Sequence, residues 1–362
     1  MKQFLQKCLL LIPVALSVMG TNYLVDPAQI VGGGRYEREA ATLLLQGHNV
    51  LTVVDYDVRL MDEDFIQGLP ERRDVVVIGT SRTRQLRGDL FAGRTFFNSS
   101  VDGATLQDEV AVYQLYREHH LTPAVVVLAA DPFLFNEFND HPIRDAPYEP
   151  EYYRALASFA LAPLPQDNPP ALGIPLPAST LELFSPGYFQ ASLQNLFSGA
   201  KPGLPRPIAS ETDIDETYPT VRPDGSWSLS AGTRATSPAQ VRTLAVNYAN
   251  KKNLPGLGNF RQMEPQSVKV FEALVRTMRR EGVEVIFFLA PYHPAAYEIL
   301  MRPDKAPIIA PVESYLRAFA RENQVTVAGS YNPAGYMVGT DFYDGIHPTE
   351  AGARKVFMHR AP

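Results

Sequence analysis

Residues 74–81 read Asp-Val-Val-Val-Ile-Gly-Thr-Ser, four branched apolar side chains followed by glycine and two hydroxyl residues. A strand that is apolar at successive positions, instead of alternating with polar ones, must be covered on both faces. That is the pattern of a parallel sheet packed between helices. Two further runs share it: residues 124–130 (AVVVLAA), ended by Asp131-Pro132, and residues 283–290 (VEVIFFLA), ended by Pro291. Shorter strands are expected at 94–98 and 325–329. Helical spacing occupies 37–47, 106–119, 265–281 (Val268, Phe271, Leu274, Val275 and Met278 on one face), 310–323 and the stretch after Pro348. The alternation implies an α/β fold, with functional groups gathered at the carboxyl ends of the strands.

The 362 residues carry a formal net charge of -6 and are 45% hydrophobic, enough for a packed core. An acidic chain lacks the clustered Lys and Arg of a nucleic-acid binder. The single cysteine, Cys8, excludes a disulfide framework and any CxxC site, and the seven scattered histidines offer no metal-ligand pair. No metal or cofactor is therefore expected. Of 31 prolines, 17 fall between Pro123 and Pro223. Proline removes a backbone donor and breaks helix interiors, so 132–260 is expected to be an irregular insertion.

Lys2 and Lys7 flank the start of an apolar run over 8–19, continued by Tyr23, Leu24 and Val25. Residues 4–25 are long enough to span a bilayer, and no small-x-small cleavage site closes the run. Residues 1–30 are thus expected to be an uncleaved signal anchor. The rest of the chain, 31–362, would form one domain outside the cytoplasm.

Ser81 stands just beyond the first core strand, where its hydroxyl can face solvent and the next backbone N–H groups can meet an oxyanion. The segment is not the G-x-S-x-G elbow of α/β-hydrolases, because Thr occupies position 83. Asp344 and His347 lie three apart on a turn before Pro348. That spacing lets a carboxylate hold the imidazole while the other ring nitrogen faces a serine. Arg82 and Arg84 flank Ser81, either as contacts to an anionic sugar or as solvated helix residues. His293 reads equally as a substrate contact or a loop histidine. Trp227, Tyr148, Tyr152, Tyr153, Tyr188 and Tyr218 could stack on sugar rings or pack in a core.

The ordered set G-x-S after the first strand, a glycine block after the second, and D-x-x-H-P near residue 347 resembles the SGNH/GDSL hydrolase superfamily. The resemblance covers about 74–131 and 283–357. It implies a three-layer, flavodoxin-like core with Ser81 as nucleophile, His347 as general base and Asp344 as its orienting carboxylate. It also implies an oxyanion hole from the backbone of Ser81 and Gly103. Two positions depart from the family: Thr80 replaces the usual aspartate, and Asp131 stands where an asparagine donates to the oxyanion. Asn98, Asn136 or a protonated Asp131 would have to substitute. The anchor, residues 22–27 and the G-T-S block look like bacterial surface proteins that acetylate alginate or transfer D-alanine to teichoic acid. That implies a single-pass inner-membrane protein with its domain in the periplasm or outside the cell. Such a protein would esterify or de-esterify a polysaccharide, or serve as an inactive accessory to a membrane-bound O-acyltransferase.

Overall fold

The computed structural model describes residues 2–25, 34–54, 56–139, 148–161, 183–197 and 206–361. Ten strands lie among them: β1 (Asn49–Leu51), β2 (Val75–Thr80), β3 (Phe96–Val101), β4 (Val125–Ala129), β5 (Ile208–Ser210), β6 (Thr220–Val221), β7 (Trp227–Ser228), β8 (Glu284–Leu289), β9 (Thr326–Gly329) and β10 (Arg360–Ala361). The main sheet has the order β10-β9-β8-β4-β2-β3. Every pairing from β3 to β9 is parallel, with Val75 opposite both Phe96 and Val125, and Val125 opposite Glu284.

The apolar runs form these strands because both faces are covered. Val76, Ile78, Val126 and Leu128 face one layer, and Val75, Val77, Val125 and Val127 face the other. The first layer includes the helices Leu106–Glu118, Pro265–Arg280 and Ile309–Glu322; the second includes the helix Glu350–Met358. Full burial of each valine or isoleucine contributes roughly 1.5–3 kcal/mol, which fixes the sheet despite the ordering cost. Local signals set the helix starts. Thr105 and Asp108 form a reciprocal capping box, and Thr349 accepts from the Gly352 amide.

Three expectations require correction. The sheet is not wholly parallel, since β10 adds an antiparallel edge, and a second sheet of order β5-β1-β6-β7 is antiparallel throughout. The fold is therefore mixed α/β with two sheets. Secondly, among the described residues no helix is long and apolar enough to cross a membrane. The helix Lys2–Val25 has 24 residues and holds Pro13 within it. Asn22 is fully buried against protein, donating to the Leu183 carbonyl and accepting from Ser192. This overturns the membrane anchor at 1–30, the attachment through it, and the single-pass inner-membrane and periplasmic placement drawn from it.

The third correction concerns the prolines of the insertion. The helices Glu149–Ser158, Pro186–Phe197 and Pro238–Ala249 all carry proline in the first turn, where the missing N–H costs nothing. Proline density there marks helix starts as well as loops. Residues 1 and 26–30 of the expected anchor, and the parts of 132–260 at 140–147, 162–182 and 198–205, lie outside the described residues.

Two buried acids in the first helical layer lead to a pH prediction. Asp62 and Glu109 are 2% and 1% exposed, and carboxylate oxygens of both lack a hydrogen-bond partner. Burial raises both well above their ordinary 3.8 and 4.5, helped at Glu109 by the nearby Asp131 and Asp108 charges. The native state then keeps protons that the unfolded chain releases, so stability falls as pH rises from about 4 toward those raised values. Asp62→Asn and Glu109→Gln should flatten that decline, read from urea midpoints across pH. An unchanged slope in both would disprove the assignment.

Candidate active site

The strand β2 ends at Thr80, and Ser81 opens a single 3₁₀ turn, Ser81–Thr83. Hydroxyl and amide side chains hold this turn. Thr83 donates to the Thr80 carbonyl at 2.8 Å and pairs with the Ser100 hydroxyl at 2.8 Å. Asn98 donates to the carbonyls of Thr83 and Leu86 at 2.9 and 3.0 Å. Gly79 is required by space: a Cβ there would lie 2.4 Å from the Cβ of Ala129 and 2.7 Å from the Thr83 hydroxyl. Gly79→Ala should therefore destabilise by about 1–3 kcal/mol through overpacking and push the turn bearing Ser81 out of place. A denaturation midpoint equal to wild type would refute this.

The partner residues arrive from 266 positions away. Ser81 Oγ and His347 Nε2 are 2.9 Å apart, and His347 Nδ1 and Asp344 Oδ2 are 2.7 Å apart. The second Asp344 oxygen accepts from the Ile346 and His347 amides at 2.8 and 2.9 Å. Burial pushes the Asp344 carboxyl up. The His347 hydrogen bond and charge, with the two amides, more than offset it and hold the group below the ordinary carboxylate value. An ionised Asp344 can only accept, so His347 Nδ1 carries a proton and Nε2 accepts from the Ser81 hydroxyl.

The loop carrying this pair is pinned by close packing. Gly345 packs closely, and a Cβ there would be a tight 3.1 Å from Tyr248 and 3.2 Å from Ala245, on the helix Pro238–Ala249. The His293 amide donates to the Gly345 carbonyl at 2.9 Å. Gly352 lies so close to the Asp341 carbonyl that a Cβ would be 2.3 Å from it.

The remaining expected site residues stand as follows. Arg82 is 1% exposed and faces inward. It pairs with Asp131, donates to the carbonyls of Ala290, Pro291 and Ile346, and lies over the Tyr292 ring. Its donors are therefore spent inside the protein, where they tie the ends of β2, β4 and β8 to the loop holding His347. Asp131 is fully buried and accepts from the Thr80 hydroxyl as well as from Arg82. His293 is 3% exposed and caps the helix Pro294–Leu300 through Nδ1; burial and nearby Arg242 lower its pKa. The donors of Asn98 are used on Thr83 and Leu86, and those of Asn136 on the Gly256 and Gly258 carbonyls.

Arg84 is also buried, against Trp227 and Asp102. Gly103 follows β3 at a φ of +62° in an exposed turn. Because Thr80 pairs with Val101, the Ser81 and Gly103 amides fall at the same sheet edge.

Sequence reasoning missed the role of Arg82. The only signal was its place directly after Ser81, which does not distinguish an outward from an inward side chain.

A Ser–His–Asp hydrogen-bonded chain thus stands at the carboxyl ends of the main-sheet strands. No family model, no curated protein and no solved structure is similar to this chain.

Proposed function

We propose that this chain is a serine acyl-esterase or O-acyltransferase working through an acyl-Ser81 intermediate. The observation that carries the reading is the hydrogen-bonded chain from Ser81 through His347 to Asp344. Ser81 Oγ attacks an ester carbonyl while its proton passes to His347 Nε2, and Asp344 stabilises the imidazolium that forms. The resulting oxyanion would be met by the backbone amides of Ser81 and Gly103. Collapse expels the alkoxide, which takes the proton from His347. Water or an alcohol, a glycan hydroxyl included, then attacks the acyl-serine with His347 again accepting the proton; collapse breaks the bond to Ser81 Oγ, which takes that proton back.

An inactive accessory role rested on Asp131 replacing an asparagine. Asp131 is matched by Arg82 inside the protein, so its charge does not stand free against an oxyanion.

The direct test is reaction with a fluorophosphonate, which labels only an activated serine. Wild type should be labelled at Ser81, as read by peptide mass mapping, and His347→Ala should be labelled poorly. Absence of label in correctly folded wild type would end the esterase reading.

A further inference from the structure

Beside Ser81 lies a cation with unmet bonding capacity. Arg84 is 3% exposed, and none of its three guanidinium nitrogens makes a hydrogen bond. Its carbon sits 3.8 Å from the centre of the Trp227 ring, so one face is covered. Its charge contact is Asp102 Oδ2, 3.0 Å from Nη1 but outside hydrogen-bond alignment, and that Asp102 side chain is 57% exposed. Buried guanidinium groups ordinarily fill their planar fork of donors with a carboxylate or phosphate. Here an exposed side chain holds the place imperfectly.

The position gives this meaning. Ser81 and Arg84 are three residues apart across a 3₁₀ turn, where side chains at i and i+3 project on one side. Asp102 immediately precedes Gly103, whose amide faces the same sheet edge as that of Ser81. A Cβ at Gly103 would meet no atom within 4 Å, so the space beside Asp102 on that turn is open. No hydrogen bond joins Arg84 to the nearby buried Asp62, whose carboxyl burial raises well above its ordinary value against the pull of Arg84.

We infer that Arg84 is the anchor for a carboxylate on the substrate, and that Asp102 occupies its place until the substrate displaces it. The inference rests on the proposed esterase reading for its meaning but is tested by binding alone. The substrate class becomes an ester bearing a carboxylate, either on the acyl side or on the alcohol side, seated bidentately against Arg84 and edged by Trp227. Displacing Asp102 would also move the adjoining Gly103 amide, coupling recognition to the oxyanion site.

Trp227 is the only tryptophan in the chain, so its fluorescence reports on Arg84 directly. Full-length Ser81→Ala protein, expected to turn over ester only residually, is titrated with 4-acetoxybenzoate (carboxylate on the alcohol side), phenyl hydrogen succinate (carboxylate on the acyl side) and phenyl acetate (neutral). At least one carboxylate ester should change the emission saturably, the better one naming the side, while phenyl acetate should not. Asp102→Asn, which removes the competing charge, should tighten that binding about tenfold, and Arg84→Gln should weaken it by tenfold or more. Asp102→Asn guards against misfolding, since its side chain is exposed. Equal responses to the neutral and charged esters, no response to any, or no tightening in Asp102→Asn would overturn the inference. A failed esterase reading would appear separately, as absent fluorophosphonate labelling with the titration intact.

Discussion

Replacing Ser81 by alanine should lower turnover of a chromogenic acetate ester by about 10⁴-fold or more, leaving only the small catalysis that binding and oxyanion donors supply. His347→Ala should cost about as much. The double variant should be scarcely worse than either single one, because the two groups act as a unit and their losses do not add. Asp344→Asn should cost about 10³–10⁴-fold, since an amide can donate to Nδ1 and leave the wrong ring nitrogen protonated. Each effect is read as kcat/KM on protein shown to be folded by circular dichroism. Turnover within tenfold of wild type in Ser81→Ala would sink the mechanism outright.

The second large effect is on stability. Arg82→Leu removes the cation paired with a fully buried Asp131 and frees three carbonyls at once. Stranding one charge of a buried pair costs about 3–5 kcal/mol, whereas removing both is far better tolerated. Arg82→Leu should therefore shift the urea midpoint strongly downward, and Arg82→Leu with Asp131→Leu should recover much of that loss. The folded double variant should still turn over ester poorly, because the Ile346 carbonyl is no longer held beside Ser81. A single variant costing under about 1 kcal/mol would show that Arg82 is not the tie described.

How much of this was legible in the residues themselves varies by feature. The runs at 75–80, 125–129 and 284–289 announced buried parallel strands, because only two-sided burial tolerates unbroken valine and isoleucine. The meeting of Ser81, Asp344 and His347 was legible for a related reason: Ser81 lies where a strand ends, and Asp344 and His347 lie just before a capped helix begins. The antiparallel sheet was not legible. Its strands are two or three residues long, and β1 pairs with β5 and β6 more than 150 residues away, a range at which local pattern carries no register. The insertion misled through proline, which reads as a breaker in a helix interior yet suits a first turn. The N-terminal helix misled because length and mean apolarity do not reveal that Asn22 is satisfied by protein groups. Nor does sequence say that Arg82 turns inward: a guanidinium next to a nucleophile suggests substrate until the four partners that consume it are seen.

The separation of Ser81 from His347 has a consequence during synthesis. The strand, the turn and Ser81 leave the ribosome early, whereas Asp344, His347 and the helix Glu350–Met358 that seats their loop follow some 266 residues later. Until that late segment docks, Ser81 has no base and its hydroxyl is as inert as any surface serine. A nascent or truncated chain lacking residues beyond 340 would thus carry the nucleophile silently, and competence would switch on only when the molecule closes on itself.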